Sequence, residues 1–267
     1  GRDDKVLADW TGLAVAALVR AGQVFGEPGW TALAARVFDF VQAHLGQPDG
    51  RIAHAWREGK ISAAGLLDDQ AAMARAALAL YEAGGEPRRL ETALAIIAAA
   101  ERHFAGPDGA FFSSAEDAAD LPLGVEGRAL TAEDHAVPSG NGMLAEVFAR
   151  LFHLTGEDIW RVKAERLIGA FMGHAQALIA MPGLLGAADL LANGASVVIA
   201  GEAAGLATVA LRAADPAVVV LQVPDPSLVP VGHPAHSKSA GAYVCREGVC
   251  SLPVDEEEAL AGLLRRT

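Results

Sequence analysis

Cysteine is nearly absent from this sequence. Only Cys245 and Cys250 occur, so a disulfide framework cannot be what holds 267 residues together. Aromatic residues are also scarce, at 6%, which speaks against a β-sandwich core and suits close packing of Ala- and Leu-rich helices. No uncharged apolar run reaches the ~18 residues of a membrane helix. Lys and Arg number 21 against 33 Asp and Glu, with no basic run. The resulting charge of −12 opposes the counterion release on which nucleic-acid binding rests. The opening Gly1-Arg2-Asp3-Asp4-Lys5 has neither a basic n-region nor an apolar h-region, so no signal peptide and a cytoplasmic protein are expected.

What is present is a well-buried, helix-rich pattern with 52% hydrophobic residues. From Trp10, Leu13, Ala17 and Ala21 form one helical stripe that closes at Gly22 and the turn Gly26-Glu27-Pro28-Gly29. A second helix follows, with Leu33, Val37, Phe40, Val41 and Leu45 predicted to face inward, and stops at Pro48-Asp49-Gly50. Arg51 to Trp56 alternates polar and apolar as a short strand or extended loop does. Gly65-Leu66-Leu67-Asp68-Asp69-Gln70 then opens a long Ala/Leu-rich helix, the stretch around which the chain is organised.

The pattern recurs. Gly85-Glu86-Pro87 repeats Gly26-Glu27-Pro28 at an offset of 59, and Gly156-Glu157-Asp158 repeats it again. Ala34, Ala93 and Ala164, then Val37, Ile96 and Leu167, then His44, His103 and His174, hold equivalent places after each turn. Pro48-Asp49-Gly50 and Pro107-Asp108-Gly109 close the first two copies alike. Each copy reads as an inner helix, a Gly-Glu turn, an outer helix and a return loop. The inner helices are expected over Thr11 to Ala21, Asp68 to Ala83 and Asn141 to Leu154. A single hairpin cannot bury its own apolar face, so three in series imply stacking, as a solenoid or an α/α toroid. Beyond Met181-Pro182-Gly183 the period changes. Ser196 to Ala200 and Ala217 to Val223 are β-branched runs whose separation permits a parallel crossover. Pro224 to Ala242 reads as loop, and Asp255-Glu256-Glu257-Glu258 opens a last helix that Arg265-Arg266 ends. The expected organisation is hairpins over 1–192, a small β-α-β and loop segment over 193–254, and a helix over 255–267.

Four stretches and a C-terminal element belong together: Asp3-Asp4-Lys5-Val6-Leu7 with Trp10 and Gly12-Leu13; Gly65-Leu66-Leu67-Asp68-Asp69; Phe111-Phe112 with Ala115-Glu116-Asp117; Pro138-Ser139-Gly140-Asn141; and Ala242-Tyr243-Val244-Cys245 with Cys250. In this order they resemble the C-terminal half of the thioredoxin-domain proteins related to spermatogenesis-associated protein 20. The resemblance implies a mainly α fold in which helical hairpins form part of an α/α toroid, similar to six-hairpin glycosidases and N-acylglucosamine 2-epimerases, with a small C-terminal α/β element. It also implies an upstream thioredoxin-like domain, as a partner outside this chain. The chain departs from the family pattern at Gln70, where an aromatic usually follows the Asp pair, and at His135, where a small residue is common.

Asp68 and Asp69 occupy the first turn of a helix, where carboxylates cap free N–H groups and complement the helix dipole. The functional reading lets one cap while the other acts as acid or base. Sugar chemistry needs a second carboxyl from another loop, and Glu116, Asp117 and Asp134 are the candidates. His135 is the histidine to test for proton transfer. Trp10, which adjoins Asp9, is the best sugar platform, ahead of Trp56, Phe111 and Phe112, which read first as core plugs. Ser139 and Asn141 read first as caps and second as hydrogen-bonding groups for a ligand. His44, His103 and His174 hold one repeat-equivalent place at outer-helix ends and are read as structural. His233 and His236 lack a metal-ligand pattern. Cys245 and Cys250 are expected as two reduced thiols on a β-hairpin, with redox exchange with the thioredoxin domain as the alternative. Gly201 with Gly205 lacks a nucleotide fingerprint, and Ser139 lacks a nucleophile elbow. No metal or organic cofactor is called for. The leading expectation is a rim that binds or modifies a carbohydrate or similar polyhydroxyl ligand. The alternatives are a non-catalytic scaffold that presents partners to the thioredoxin domain, and self-association through an open apolar edge.

Overall fold

A computed structural model describes residues 4–118, 128–173, 177–201 and 204–265. Three helical hairpins follow one another: α1 (Ala8–Phe25) with α2 (Pro28–Leu45), α3 (Leu67–Gly84) with α4 (Pro87–His103), and α5 (Gly140–Thr155) with α6 (Asp158–Phe171). Each inner helix ends on a glycine with positive φ, Gly26, Gly85 or Gly156, a left-handed position that a side chain would strain. Pro28 and Pro87 then sit in the first turn of α2 and α4, where a missing N–H costs nothing.

α3 is the hub. From Leu67 to Tyr81 nearly every residue is buried, because small Ala side chains let neighbours approach it from several sides. Gly12 of α1 lies so close that a Cβ there would stand 2.7 Å from the Ala72 backbone. On the other flank a Cβ on Gly140 of α5 would meet Leu67 and Asp68 at 2.8 Å. A further helix, α7 (Pro182–Asn193), packs on α5 and continues the inner row. Leu33, expected inward, is instead exposed on α2, since Ala34, Phe38, Val41 and Leu45 define that helix's buried stripe.

The repeat is visible bond by bond. Ala8 N–H donates to the His54 carbonyl (2.9 Å) as Leu67 N–H donates to that of Ser113 (3.0 Å). Ala53 N–H reaches Leu45 O (2.9 Å) as Phe112 N–H reaches Phe104 O (2.8 Å). All four partners are shifted by 59, the offset of the glycine turns. In the first return loop β2 (Ala55–Arg57) and β3 (Lys60–Ala63) form a small antiparallel sheet with β1 (Val6–Leu7), which precedes α1.

The C-terminal part is a four-stranded sheet in the order β5-β4-β6-β7. β4 (Ala195–Ala200) and β5 (Val218–Val223) are parallel and joined through α8 (Ala204–Leu211), while β6 (Gly241–Arg246) runs antiparallel on the other side of β4 and pairs with β7 (Val249–Cys250). β4 is buried on both faces. Val198 and Ala200 join the hairpin core, whereas Val197 and Ile199 pack with Leu206 and Ala210 of α8 and Leu260 of α9 (Glu257–Leu263). The expectation of two free thiols is corrected here. β6 and β7 place Cys245 directly opposite Cys250, with Cα atoms 3.9 Å apart, and the two form a disulfide. Among the described residues no helix is long and apolar enough to cross a membrane.

Candidate functional site

The starts of the inner helices lie side by side, and aspartates bridge each junction. At the first, Asp69 of α3 accepts from the backbone N–H of Asp9 on α1 (3.1 Å) and of Leu66 (2.8 Å). At the second, Asp68 lies against the start of α5 at Gly140, whose backbone N–H favours its charged form. At the third, Asp134 accepts from Ser139 N–H (2.8 Å) and from Gly183 N–H of α7 (2.6 Å). Helix N-termini carry unpaired N–H groups and a positive dipole end, so a shared carboxylate neutralises two at once. Capping, the first reading of the Asp pair, is thus what these carboxylates visibly do.

An amide completes each of the first two junctions. The fully buried Gln70 side chain accepts from Ile52 N–H (2.8 Å) and donates to Ile52 O (2.7 Å). Asn141 does the same to Phe111: its Oδ1 accepts from the backbone N–H (2.9 Å) and its Nδ2 donates to the carbonyl (2.8 Å) and to Thr131 O. Gln70 and Asn141 stand 71 residues apart, as do Gly85 and Gly156, so they are one repeat position. Each clamps the return loop that precedes it. Gly65 belongs to the first clamp, because a Cβ there would stand 1.9 Å from Ile52 O.

The Gln70 clamp delivers a residue not foreseen among the candidates. His54, two positions beyond Ile52, points Nδ1 at both Asp69 oxygens, at 3.0 and 3.2 Å. Asp9 lies against the same pair, its Oδ1 accepting from Trp10 N–H at 2.7 Å. Asp69 is 0% exposed, the His54 side chain 27%, and Trp10, at the lip, 61%. The Asp69 hydrogen bond, with the charges of Asp69, Asp9 and Asp68, raises the His54 pKa against the opposing pull of burial. Burial raises Asp9, and the Asp69 charge adds to it, while the Trp10 N–H and His54 pull the other way. Asp68 is raised by burial in the same sense, with Gly140 N–H opposing.

Ligand atoms of Asp9, His54 and Asp69 fall within 4.8 Å of one another, close enough for a cation. Asp69, however, already serves two backbone N–H groups and the imidazole, so the lone pairs a metal needs are committed. The arrangement is a carboxylate orienting an imidazole. With Nδ1 bound to Asp69, Nε2 is the atom left to exchange a proton, and Asp9 supplies the second acid-base group.

The other candidates separate from this cluster. Asp134 and the buried Ser139 and Asn141 have their polar atoms occupied by the fold, Ser139 capping α5 through Gly142 N–H. Glu116 is exposed and turns to His103 (3.5 Å), and Asp117 pairs with Arg51 (2.6 Å). His135 is exposed on its loop. Phe111 is buried, and Trp56 packs edge-on against Phe40, as core plugs do. His44 donates to the Phe40 carbonyl (2.9 Å) at the end of α2, while His174 lies outside the described residues. His233 Nδ1 accepts from Ala235 N–H (3.0 Å), so Nε2 carries the proton and donates to Ser196 Oγ (2.7 Å). That tautomer cannot deprotonate the serine, and the pair is structural. Burial holds the His233 pKa down at about 4.

The missed residues had one signal in common. Asp9 and Asp68 are separated by the repeat offset of 59, as are His54 and Ser113. Carrying the repeat into the return loops exposes positions where the two copies differ in chemistry.

No protein-family model matches the chain. Among curated proteins it is 33% identical to spermatogenesis-associated protein 20 of Mus musculus over 180 residues, which is 63% of this chain and 22% of that protein. The Homo sapiens protein of the same name is 29% identical over 298 residues, 98% of this chain and 36% of that protein. The chain thus spans between about a fifth and about a third of the relatives it matches. Among solved structures, a GH76 alpha-mannanase from Bacteroides thetaiotaomicron overlays with a TM-score of 0.52 and 13% identity, covering 63% of this chain and 45% of that one. A cellobiose 2-epimerase from Spirochaeta thermophila has a TM-score of 0.49 and 18% identity, covering 64% and 44%. In fold the chain is therefore a partial α/α toroid, and in sequence it is similar to part of spermatogenesis-associated protein 20.

Proposed function

We propose that the face built by the starts of α1 and α3 binds a carbohydrate or similar polyhydroxyl ligand. Trp10 supplies the stacking surface, and His54 and Asp9 exchange protons with the bound hydroxyls or the carbon beside them. The observation that carries this reading is the meeting of Asp9, His54 and Asp69, drawn from two successive hairpins, beside an exposed indole. An exposed ring next to convergent polar groups is what sugar sites use, the apolar face of the pyranose lying on the ring. That a fold neighbour is a mannanase agrees with this class of ligand.

Within the proposal Asp69 is a positioning group. Buried and saturated by N–H donors, it is badly placed to attack an anomeric carbon or to act as one of the two free carboxylates that glycoside hydrolysis uses. An imidazole held by a carboxylate suits proton abstraction and return, the chemistry of an epimerase or isomerase.

The test is a thermal-shift and NMR screen of mono- and disaccharides against the wild type and the Trp10→Ala, His54→Gln, Asp9→Asn and Asp69→Asn variants. A binding sugar should shift the amides of residues 8–12 and 52–56, and Trp10→Ala should weaken it about tenfold. Sugars that leave those amides unmoved at millimolar concentration, or that bind the Trp10 variant as well as the wild type, would leave a scaffold that presents partner domains as the better reading.

A further inference from the structure

The opposite ends of the inner helices enclose a second polar site. A cavity of about 230 Å³ lies between the C-terminal halves of α1, α3 and α5 and strand β5, with Arg20, Gln23, Arg75, Glu82, Arg150 and Asp215 among its walls. Along α3, Glu82 stands 13 residues beyond Asp69, about 20 Å at the helical rise. The two sites are therefore separate.

The carboxylates here are largely spent on their immediate neighbours. Glu146, behind the wall, accepts from Arg75 Nε (2.9 Å) and Arg150 Nε (2.6 Å). Glu82 accepts from Arg150 Nη1 at both oxygens, 3.2 and 3.1 Å. Burial opposes the charge on Glu146, yet the two guanidiniums hold its pKa down at about 2. Asp215 accepts from Ala217 N–H (2.9 Å).

The donors are less fully spent. Arg75 Nη1 stands 3.7 Å from a Glu82 oxygen, an ion pair too long for a hydrogen bond, and Gln23 Nε2 is a buried atom without an acceptor; both residues line this one cavity. Arg20 enters beside them and donates to the Leu211 carbonyl. Burial disfavours its charge, and the Arg150 and Arg75 guanidiniums repel it, with Glu82 in opposition. Buried donors without acceptors are costly and uncommon in native proteins, so orphans converging on one hollow mark the place of an acceptor-rich guest. Guanidinium forks match the planar or tetrahedral oxygens of carboxylates and phosphates.

We propose that this cavity is a binding site for a small oxyanion, a phosphate or a short carboxylate, held by Arg20, Arg75 and Gln23. Its volume admits such an anion and excludes an oligosaccharide, which sets it apart from the Trp10 face.

The probes are sodium phosphate and sodium malonate, titrated calorimetrically and by thermal shift against sodium chloride at matched ionic strength. Phosphate or malonate should bind saturably and raise the melting temperature beyond chloride, the better of the two naming the anion class. Arg75→Gln disturbs the Glu146 pair and is liable to misfold, so the diagnostic variants are Arg20→Gln and Gln23→Leu, which leave Glu82 and Glu146 paired. Arg20→Gln should weaken binding about tenfold, the worth of one charge-assisted hydrogen bond. Neither anion exceeding chloride, or both variants binding as the wild type does, would overturn the assignment.

Discussion

The junction between the first and second hairpins and the junction between the second and third are built to one plan and carry different chemistry. Both use an amide from the first turn of an inner helix to clamp a return-loop residue, Gln70 on Ile52 and Asn141 on Phe111. Both use a loop carbonyl to receive the N–H of a helix start, His54 O and Ser113 O. They differ where chemistry needs side chains. The first has His54 and Asp69; the second has Ser113 and Gly140 at the same repeat positions. A fold that closes its second junction with a serine and a glycine does not require an imidazole and a buried carboxylate at its first. The difference separates what the repeat needs in order to stack from what one junction has beyond that need.

The sharpest way to break the comparison is to remove what only one side has. Asp69→Ala leaves the N–H groups of Asp9 and Leu66 without their acceptor and unseats His54. Stability should fall by about 3 kcal/mol, from two buried donors left unpaired at helix starts. Ser139→Ala at the second junction removes a single cap and should cost about 1 kcal/mol. Equal losses in urea melts would mean that Asp69 is an ordinary cap. Next come the amides: Gln70→Ala and Asn141→Ala each free a buried N–H and carbonyl, and should each cost about 2 kcal/mol. Only the first should move the His54 imidazole resonances and bring its titration back toward that of a free histidine. If Asn141→Ala shifts them as much, Gln70 has no special hold on His54.

The repeat itself was legible because glycine turns, proline starts and helix-end histidines are local requirements that recur in sequence. Gly26, Gly85 and Gly156 were readable for that reason, and so were the parallel runs later seen as β4 and β5. Gln70 stood out as a departure from a family pattern, but its role depends on Ile52, 18 residues earlier, and only the folded loop shows it. Ser139 and Asn141 invited a ligand reading because their types suit one; the fold had already committed their polar atoms. The Arg75–Glu146–Arg150–Glu82 network was invisible, since it pairs helices 68 to 71 residues apart whose facing sides no local pattern identifies. The cysteines show the same limit. Their spacing argued against a thioredoxin-type motif, yet the β6–β7 register brought them face to face.

Trp10→Ala tests the exposed side of the first junction. At 61% exposure the indole contributes little to the core, so stability should change by less than about 0.5 kcal/mol while sugar binding weakens. A large loss of stability would instead make Trp10 a packing residue and deprive the proposed site of its platform.

The smallest effect concerns pH, and its sign distinguishes the junctions. His54 has a folded pKa raised chiefly by its hydrogen bond to Asp69, so its stabilisation is complete below the unfolded value of 6.5 and is lost as pH climbs through the folded one. Asp9 and Asp68, raised by burial, act in the same sense from 3.8 upward. His153 and His233 are lowered by burial, so their contribution is present above 6.5 and lost as pH falls below it. Just above 6.5 His54 loses stabilisation as pH rises, whereas His153 and His233 do not. Denaturation midpoints of the wild type should decline there more steeply than those of His54→Gln. A decline of equal slope in both proteins would place the proton elsewhere and remove His54 from the acid-base pair.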